Sequence, residues 1–227
     1  MVKDNIRKVQ EEVTRICARL GRDPKDIVIV AVSKAASVAG IKEAIDAGIL
    51  NIGENRIQEA VVKYSGLSAC LAGRRIPALK WHFVGHLQTN KVKQAVEIFD
   101  LIQSVDSTRL AGEIDKQAAN IAKIQDILIE VKTSKEATKF GFSKDEVQAA
   151  TLEISKFKNI KILGFMTIAP AADNPEEARS YFSMLREIRD KINKNWVLSM
   201  GMSDDFKIAI EEGSTMVRLG RAIFEGR

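Results

Sequence analysis

The stretch Val28-Ile29-Val30-Ala31-Val32-Ser33-Lys34 decides the fold. It is a short run of β-branched and small apolar residues, which suits a strand buried on both faces, and such strands belong to parallel sheets. A period of two puts Val28, Val30, Val32 and Lys34 on one side and Ile29, Ala31 and Ser33 on the other. The run ends in a lysine. An ammonium at the rim of a core is desolvated, which brings the neutral amine within reach near neutral pH. A neutral amine is what attacks an aldehyde to form a Schiff base. A lysine at a strand end can equally lay its stem on apolar surface and leave its ammonium in water. The stretch alone favours the second reading.

Around this strand, helical and strand patterns alternate. Upstream, residues 3–20 carry the apolar stripe Ile6, Val9, Val13, Ile16 and Leu20, with Cys17 on it, and Gly21 and Pro24 close this helix. Downstream, the expected strands are 27–33, 49–53, 79–84, 101–105, 126–132, 161–168, 196–200 and 215–219. Between them the pattern places helices at 38–47, stopped by Gly48, at 54–64 and at 89–98, and one behind Ser107 as cap. A further helix opens on the capping box Ser143-Lys144-Asp145-Glu146, and another on Asn174-Pro175-Glu176-Glu177. Ser203-Asp204-Asp205 caps a helix that ends at Gly213, and a last turn begins at Gly220. Residues 65–79 read as the one long irregular connection.

Eight strands alternating with helices, and one extra helix in front, imply parallel strands joined by right-handed crossovers. In 227 residues that is an α/β fold, a closed (β/α)8 TIM barrel with an additional N-terminal helix, covering 1–227 as a single domain. An open doubly wound sheet is the second choice, weakened because no glycine-rich dinucleotide fingerprint follows the first strand.

Composition narrows the function classes. With 45% hydrophobic and 29% charged residues the chain is globular, and it has no apolar run of membrane-spanning length and no apolar signal core near Met1. A cytoplasmic location and no membrane partner are the expectations. Cys17 and Cys70 have no metal spacing and two histidines are too few for a zinc motif, so no metal is expected. The net charge of +5 is spread along the chain, with Arg74-Arg75 and Lys91-Val92-Lys93 as its only concentrations and no interleaved aromatics. That argues against nucleic acid and leaves a small anionic ligand.

A barrel keeps its chemistry at the C-terminal ends of its strands. Here those ends hold Lys34, Glu54-Asn55, His82 to His86, Ser104-Val105-Asp106, Lys132-Thr133, Met166-Thr167, Ser199 to Ser203, and Arg218 to Arg221. The last two ends form the place where barrels often hold a phosphate: Ser199 offers a hydroxyl, Gly201 and Gly220 admit an anion to the backbone, and N–H groups near Arg221 would face it. Arg218, inside the eighth strand, needs a partner; Glu54, Asp106 or an uncharged ring nitrogen of a ligand would each serve. A Schiff-base lysine, a phosphate cradle and an arginine in one lumen suggest pyridoxal 5′-phosphate.

The chain also resembles the pyridoxal-phosphate homeostasis proteins, single-domain barrels of the alanine racemase N-terminal-domain type. The resemblance rests on Ala31-Val32-Ser33-Lys34, Gly53 to Glu59, Trp81 to Lys91, Gln103 to Ser107, Lys139-Phe140-Gly141, Gly164 to Ala169, Leu198 to Asp205 and Val217 to Phe224, in order along nearly the whole chain. It implies that Lys34 is the aldimine lysine and that Asn55 lies beside the cofactor ring. It implies too that Ser199, Gly201, Gly220 and Arg221 hold the phosphate, that Arg218 faces the pyridine nitrogen, and that Lys139 is a second lysine used in handing the cofactor on. One departure is that Ala35-Ala36-Ser37 stands where the family usually has a further lysine and often a proline, so that lysine's role does not carry over.

The function this implies is buffering or delivery of pyridoxal 5′-phosphate within vitamin B6 homeostasis, with PLP-requiring apo-enzymes as partners and no catalytic residue assigned. An amino-acid racemase is the alternative. An arginine at the pyridine nitrogen leaves the ring a weak electron sink, and racemisation needs a second acid or base. Tyr64 and Tyr181 both read onto helices, and His82 and His86 read as structural. A Schiff-base aldolase acting on a sugar phosphate is a weaker reading. A self-contained barrel makes a monomer the expected state.

Overall fold

The computed structural model describes residues 1–34, 36–70, 79–134 and 140–226. The strands are β1 (Val28–Val32), β2 (Asn51–Glu54), β3 (Lys80–Phe83), β4 (Leu101–Val105), β5 (Gln125–Glu130), β6 (Ile160–Met166), β7 (Val197–Ser199) and β8 (Met216–Leu219). Each pairs in parallel with its neighbour, and β1 closes on β8 with Val28 opposite Met216 and Ala31 opposite Leu219. The closed (β/α)8 barrel expected from the alternation is therefore the fold.

The helices are α1 (Val2–Leu20), α2 (Val38–Asp46), α3 (Ile57–Cys70), α4 (Val92–Ile98), α5 (Thr108–Asn120), α6 (Val147–Ile154), α7 (Arg179–Ile192), α8 (Phe206–Glu211) and α9 (Arg221–Phe224). Ile6, Val9, Val13 and Ile16 of the α1 stripe are buried, Cys17 with them, Leu20 at its end is exposed, and Gly21 ends the helix in the left-handed conformation at φ 67°. Asn5 of α1 donates to the carbonyl of Ile223 at 2.9 Å, so the extra helix rests on the closing turn of the barrel.

Two details of the sequence reading change. The third helix runs on to Cys70, because Leu67 reaches the core and residues 65–70 gain a buried anchor; residues 71–78, Arg74 and Arg75 among them, lie outside the described residues. Ser203 does not cap α8. Asp205 instead accepts from the Met202 amide at 2.6 Å, and the Ser203 hydroxyl accepts from the Ala222 amide at 3.1 Å, tying the β7 loop to α9. The caps read at Ser107, Ser143–Glu146 and Asn174 all form.

Alternation along the strands divides the core into two shells. Ala31, Ile52, Phe83, Ile102, Ile127, Ile129, Phe165, Leu198, Val217 and Leu219 turn outward under the helices. Val30, Leu101, Leu128, Met166 and Met216 fill the lumen. Outward packing of this kind contributes roughly 25 cal/mol per Å² of apolar surface buried and holds the barrel closed. β6 approaches β7 so closely that a Cβ added at Gly164 would lie 2.1 Å from the Val197 carbonyl oxygen. We expect Gly164→Ala to lower unfolding stability by about 2–3 kcal/mol through forced separation of these strands. Urea denaturation measures it, and an unchanged midpoint would contradict the packing argument.

Candidate functional site

The C-terminal strand ends enclose a cleft of about 240 Å³. Lys34 and Val32 enter it from β1, Asn55 from β2, Val84 from β3, Ile168 from β6, Met202 and Ser203 from β7, and Arg218, Gly220 and Arg221 from β8 and α9. The period of two read at β1 accounts for Val32 and Lys34 sharing the inner side. Lys34 itself is exposed, two residues beyond the strand, so the desolvation expected of it is absent. Asn55 is brought close by Gly85, where a Cβ would lie 2.2 Å from the Asn55 carbonyl oxygen. The Asn55 side-chain oxygen is buried and has no hydrogen-bond partner among the described residues.

Arg218 is the fixed point of the site. Its side chain is buried, and its guanidinium donates to Ser199 Oγ at 2.7 Å and to the Thr167 carbonyl at 2.9 Å. Burial pushes its pKa down to about 10, with the nearby Asp205 and Glu130 carboxyls opposing the shift, so it stays a cation at neutral pH. Neither Glu54 nor Asp106 is its partner. Glu54 pairs with Lys63 at 2.8 Å, and Asp106 pairs with His86 at 3.1 Å.

Below Arg218 a hydrogen-bonded chain crosses the lumen. Ser199 Oγ donates to Gln103 Oε1 at 2.6 Å, Gln103 Nε2 meets His82 Nδ1 at 2.9 Å, and His82 Nε2 meets Asn51 Oδ1 at 3.0 Å. Burial, reinforced by Lys80, pushes His82 down to about 3, so the ring is neutral. His86 instead sits exposed at the rim, stacked on Phe140 with ring centres 3.7 Å apart.

The cleft gathers five of the residues expected at the site: Lys34, Asn55, Arg218, Gly220 and Arg221. It leaves out two. Ser199 is fully buried beneath Arg218 and spends its hydroxyl on Gln103 and the guanidinium. Gly201 has φ 97°, and a Cβ there would lie 2.5 Å from the Ala209 Cβ and 2.9 Å from the Phe206 Cα, so its smallness serves the packing of α8. The hydroxyl on the cleft wall is that of Ser203, four residues further along the same strand end, a position the chain order alone made available. Lys139 lies outside the described residues.

The residues present suit a phosphorylated ring bearing an aldehyde. Lys34 offers an amine, Arg221 a cation, Arg218 N–H groups that can only donate, and Asn55 an unpartnered oxygen. The family model described as "Alanine racemase, N-terminal domain" matches residues 3–227. The "Pyridoxal phosphate homeostasis protein" of Aquifex aeolicus (strain VF5) is 39% identical over 229 residues, covering 99% of this chain and 97% of that one. The chain belongs to the pyridoxal phosphate homeostasis protein family. Among solved structures similar to this family member, PipY of Synechococcus elongatus PCC7942, solved with PLP bound, matches at 34% identity and a TM-score of 0.78 over 94% of this chain and 99% of that one. An alanine racemase of Clostridium difficile 630 matches at 17% identity and a TM-score of 0.75, covering 97% of this chain and 56% of that one, which shows a shared fold.

Glu130 stands on the lumen side above Leu128, and burial, together with the Asp106 charge, pushes its carboxyl up to about 7 against the opposing pull of Arg218. The native state therefore keeps a proton that the unfolded chain releases near pH 4.5. The stability this group contributes is complete below that value and is lost as pH rises through about 7. We expect Glu130→Gln to gain on the parent by roughly 2–3 kcal/mol between pH 4.5 and pH 8, read from denaturation midpoints. Parallel pH profiles for the two proteins would contradict the assignment.

Proposed function

We propose that this protein binds pyridoxal 5′-phosphate in the cleft at the strand ends and keeps it available for enzymes that require it, as a member of vitamin B6 homeostasis without efficient turnover of its own. The observation that carries the reading is the set Lys34, Asn55, Arg218 and Arg221 around one cleft, with Arg218 bonded to two neutral oxygens among the described residues. When bound, the cofactor supplies an aldehyde for an amine and a conjugated ring that draws electrons. The chain's own residues define how that chemistry is used.

Lys34 supplies the amine that takes the aldehyde carbon. Its exposure leaves this bond open to exchange from solvent, as a protein that gives up its ligand requires. Arg221, with Ser203 beside it, meets the phosphate at the cleft mouth. Gly220 admits that group near the backbone. Arg218, which can only donate, would keep a ring nitrogen beside it unprotonated and so weaken the ring as an electron sink.

Carbanion chemistry would also need a proton donor or acceptor on the far face of a substrate. Among the described residues the tyrosines are on helices: Tyr64 is on α3 against Trp81, and Tyr181 is on α7. His82 is neutral and bonded at both ring nitrogens. These placements favour a carrier over a racemase.

An absorption spectrum tests the reading. We expect the protein, mixed with pyridoxal 5′-phosphate and then freed of unbound cofactor, to keep a visible band that borohydride abolishes, and Lys34→Ala to lack it. A protein left colourless once the unbound cofactor is removed would sink the cofactor reading. Robust racemisation of alanine by the pure protein, lost in Lys34→Ala, would overturn the carrier role and leave cofactor binding in place.

A further inference from the structure

Lys34 and Asn55 face the cleft, while the residues just before them face the opposite way. Ser33 and Glu54 turn outward, under α3, and both are fully buried. There they are bonded to each other and to Lys63 of α3. The Ser33 hydroxyl donates to Glu54 Oε2 at 3.1 Å and lies 3.1 Å from the Gly53 carbonyl oxygen. Lys63 Nζ donates to the Ser33 carbonyl at 2.6 Å, to Glu54 Oε2 at 2.8 Å and to Glu59 Oε2 at 3.3 Å. Glu54 Oε1 accepts from the Asn55 amide at 3.3 Å.

We propose that Lys63 and Glu54 are a positioning pair, which fixes the backbone at the ends of β1 and β2 so that Lys34 Nζ is presented to the aldehyde of a ligand. The proposal rests on the cofactor reading above and adds residues that never touch the cleft. The bond it serves forms when the Lys34 amine adds to the aldehyde carbon and one water leaves, carrying the aldehyde oxygen and both amine protons. Lysine has four rotatable methylenes, so its reach is set by where its Cα is held. One ammonium grips the carbonyl of the residue before it and the carboxylate of the residue before Asn55. A single cation thereby sets two neighbouring cleft residues in register. A buried ion pair is a poor source of net stability but a strong constraint on geometry.

Two ligands separate positioning from general damage. Pyridoxal 5′-phosphate needs Lys34 to react; pyridoxine 5′-phosphate, with an alcohol in place of the aldehyde, does not. We expect Lys63→Met to weaken pyridoxal 5′-phosphate about tenfold or more and to leave pyridoxine 5′-phosphate within about twofold. Lys63→Met strands a buried carboxylate, which can unfold the protein. The double variant Lys63→Met with Glu54→Gln removes both charges and is expected to show the same split between ligands. Lys63→Arg, which restores N–H donors, should regain part of the loss. Equal losses for the two ligands, or none for either, would overturn the proposal. Failure of the cofactor reading itself would look different, because the parent protein would then bind neither ligand.

Discussion

A buried guanidinium that can only donate sets the order of everything beneath it. Arg218 gives its N–H groups to Ser199 Oγ and the Thr167 carbonyl. Ser199 must then turn its own proton away, toward the Gln103 oxygen. That leaves the Gln103 amide nitrogen as donor to His82 Nδ1, and the remaining ring nitrogen carries the proton toward Asn51 Oδ1. Direction is thus imposed from one end of the lumen to the other, and it requires a neutral His82. Taking a cation out of water costs several kcal/mol, and charge-assisted hydrogen bonds return roughly 1.5–3 kcal/mol each. The lumen is an arginine support as much as a hydrophobic core, and Val30, Leu101, Leu128, Met166 and Met216 fill the space around it.

The architecture was legible because it rests on periodicities. Alternation at β1 put Val30 in the lumen and Ala31 under the helices, and the same alternation placed Lys34 on the cleft side. What alternation does not reveal is depth along a strand. Ser199 and Ser203 lie at the same strand end and carry the same hydroxyl, yet one is sealed beneath Arg218 and the other lines the cleft. Lys34 raises the same difficulty: the strand before it is buried, and the lysine is not. Gly201 was legible as a required glycine and not as to why, since the backbone of α8 that excludes a side chain there comes from a later part of the chain.

The partners of charged residues were the least legible feature. Glu54 and Asp106 were both reasonable counter-charges for Arg218, because all three are at strand ends. Facing decides otherwise. Arg218 points into the lumen, while Glu54 points outward to Lys63, which comes from a helix whose burial pattern, not its charges, fixes its rotation. Asp106 lies past the end of β4 and takes His86 at the rim. The carboxyls that do influence Arg218 are Asp205 and Glu130, both largely buried and neither hydrogen-bonded to it. Charge matching along a sequence carries no information about which side of a sheet each residue occupies.

The division between inner and outer faces also bears on holding a ligand against releasing it. The inner side of the cleft is built on Arg218, buried and held by two neutral oxygens. The other side is built on Lys34 and Arg221, both exposed, and Arg221 is ion-paired to the exposed Asp204. An exposed ion pair contributes at most about 1 kcal/mol, so exchanging Asp204 for a phosphate, and back again, costs little. A protein that stores a reactive aldehyde needs this asymmetry: one rigid contact to select the ring, and outer contacts weak enough to be replaced. An enzyme committed to one cofactor has the opposite need on both sides, and the exposed lysine and the exposed, already paired arginine are in keeping with the carrier role proposed above.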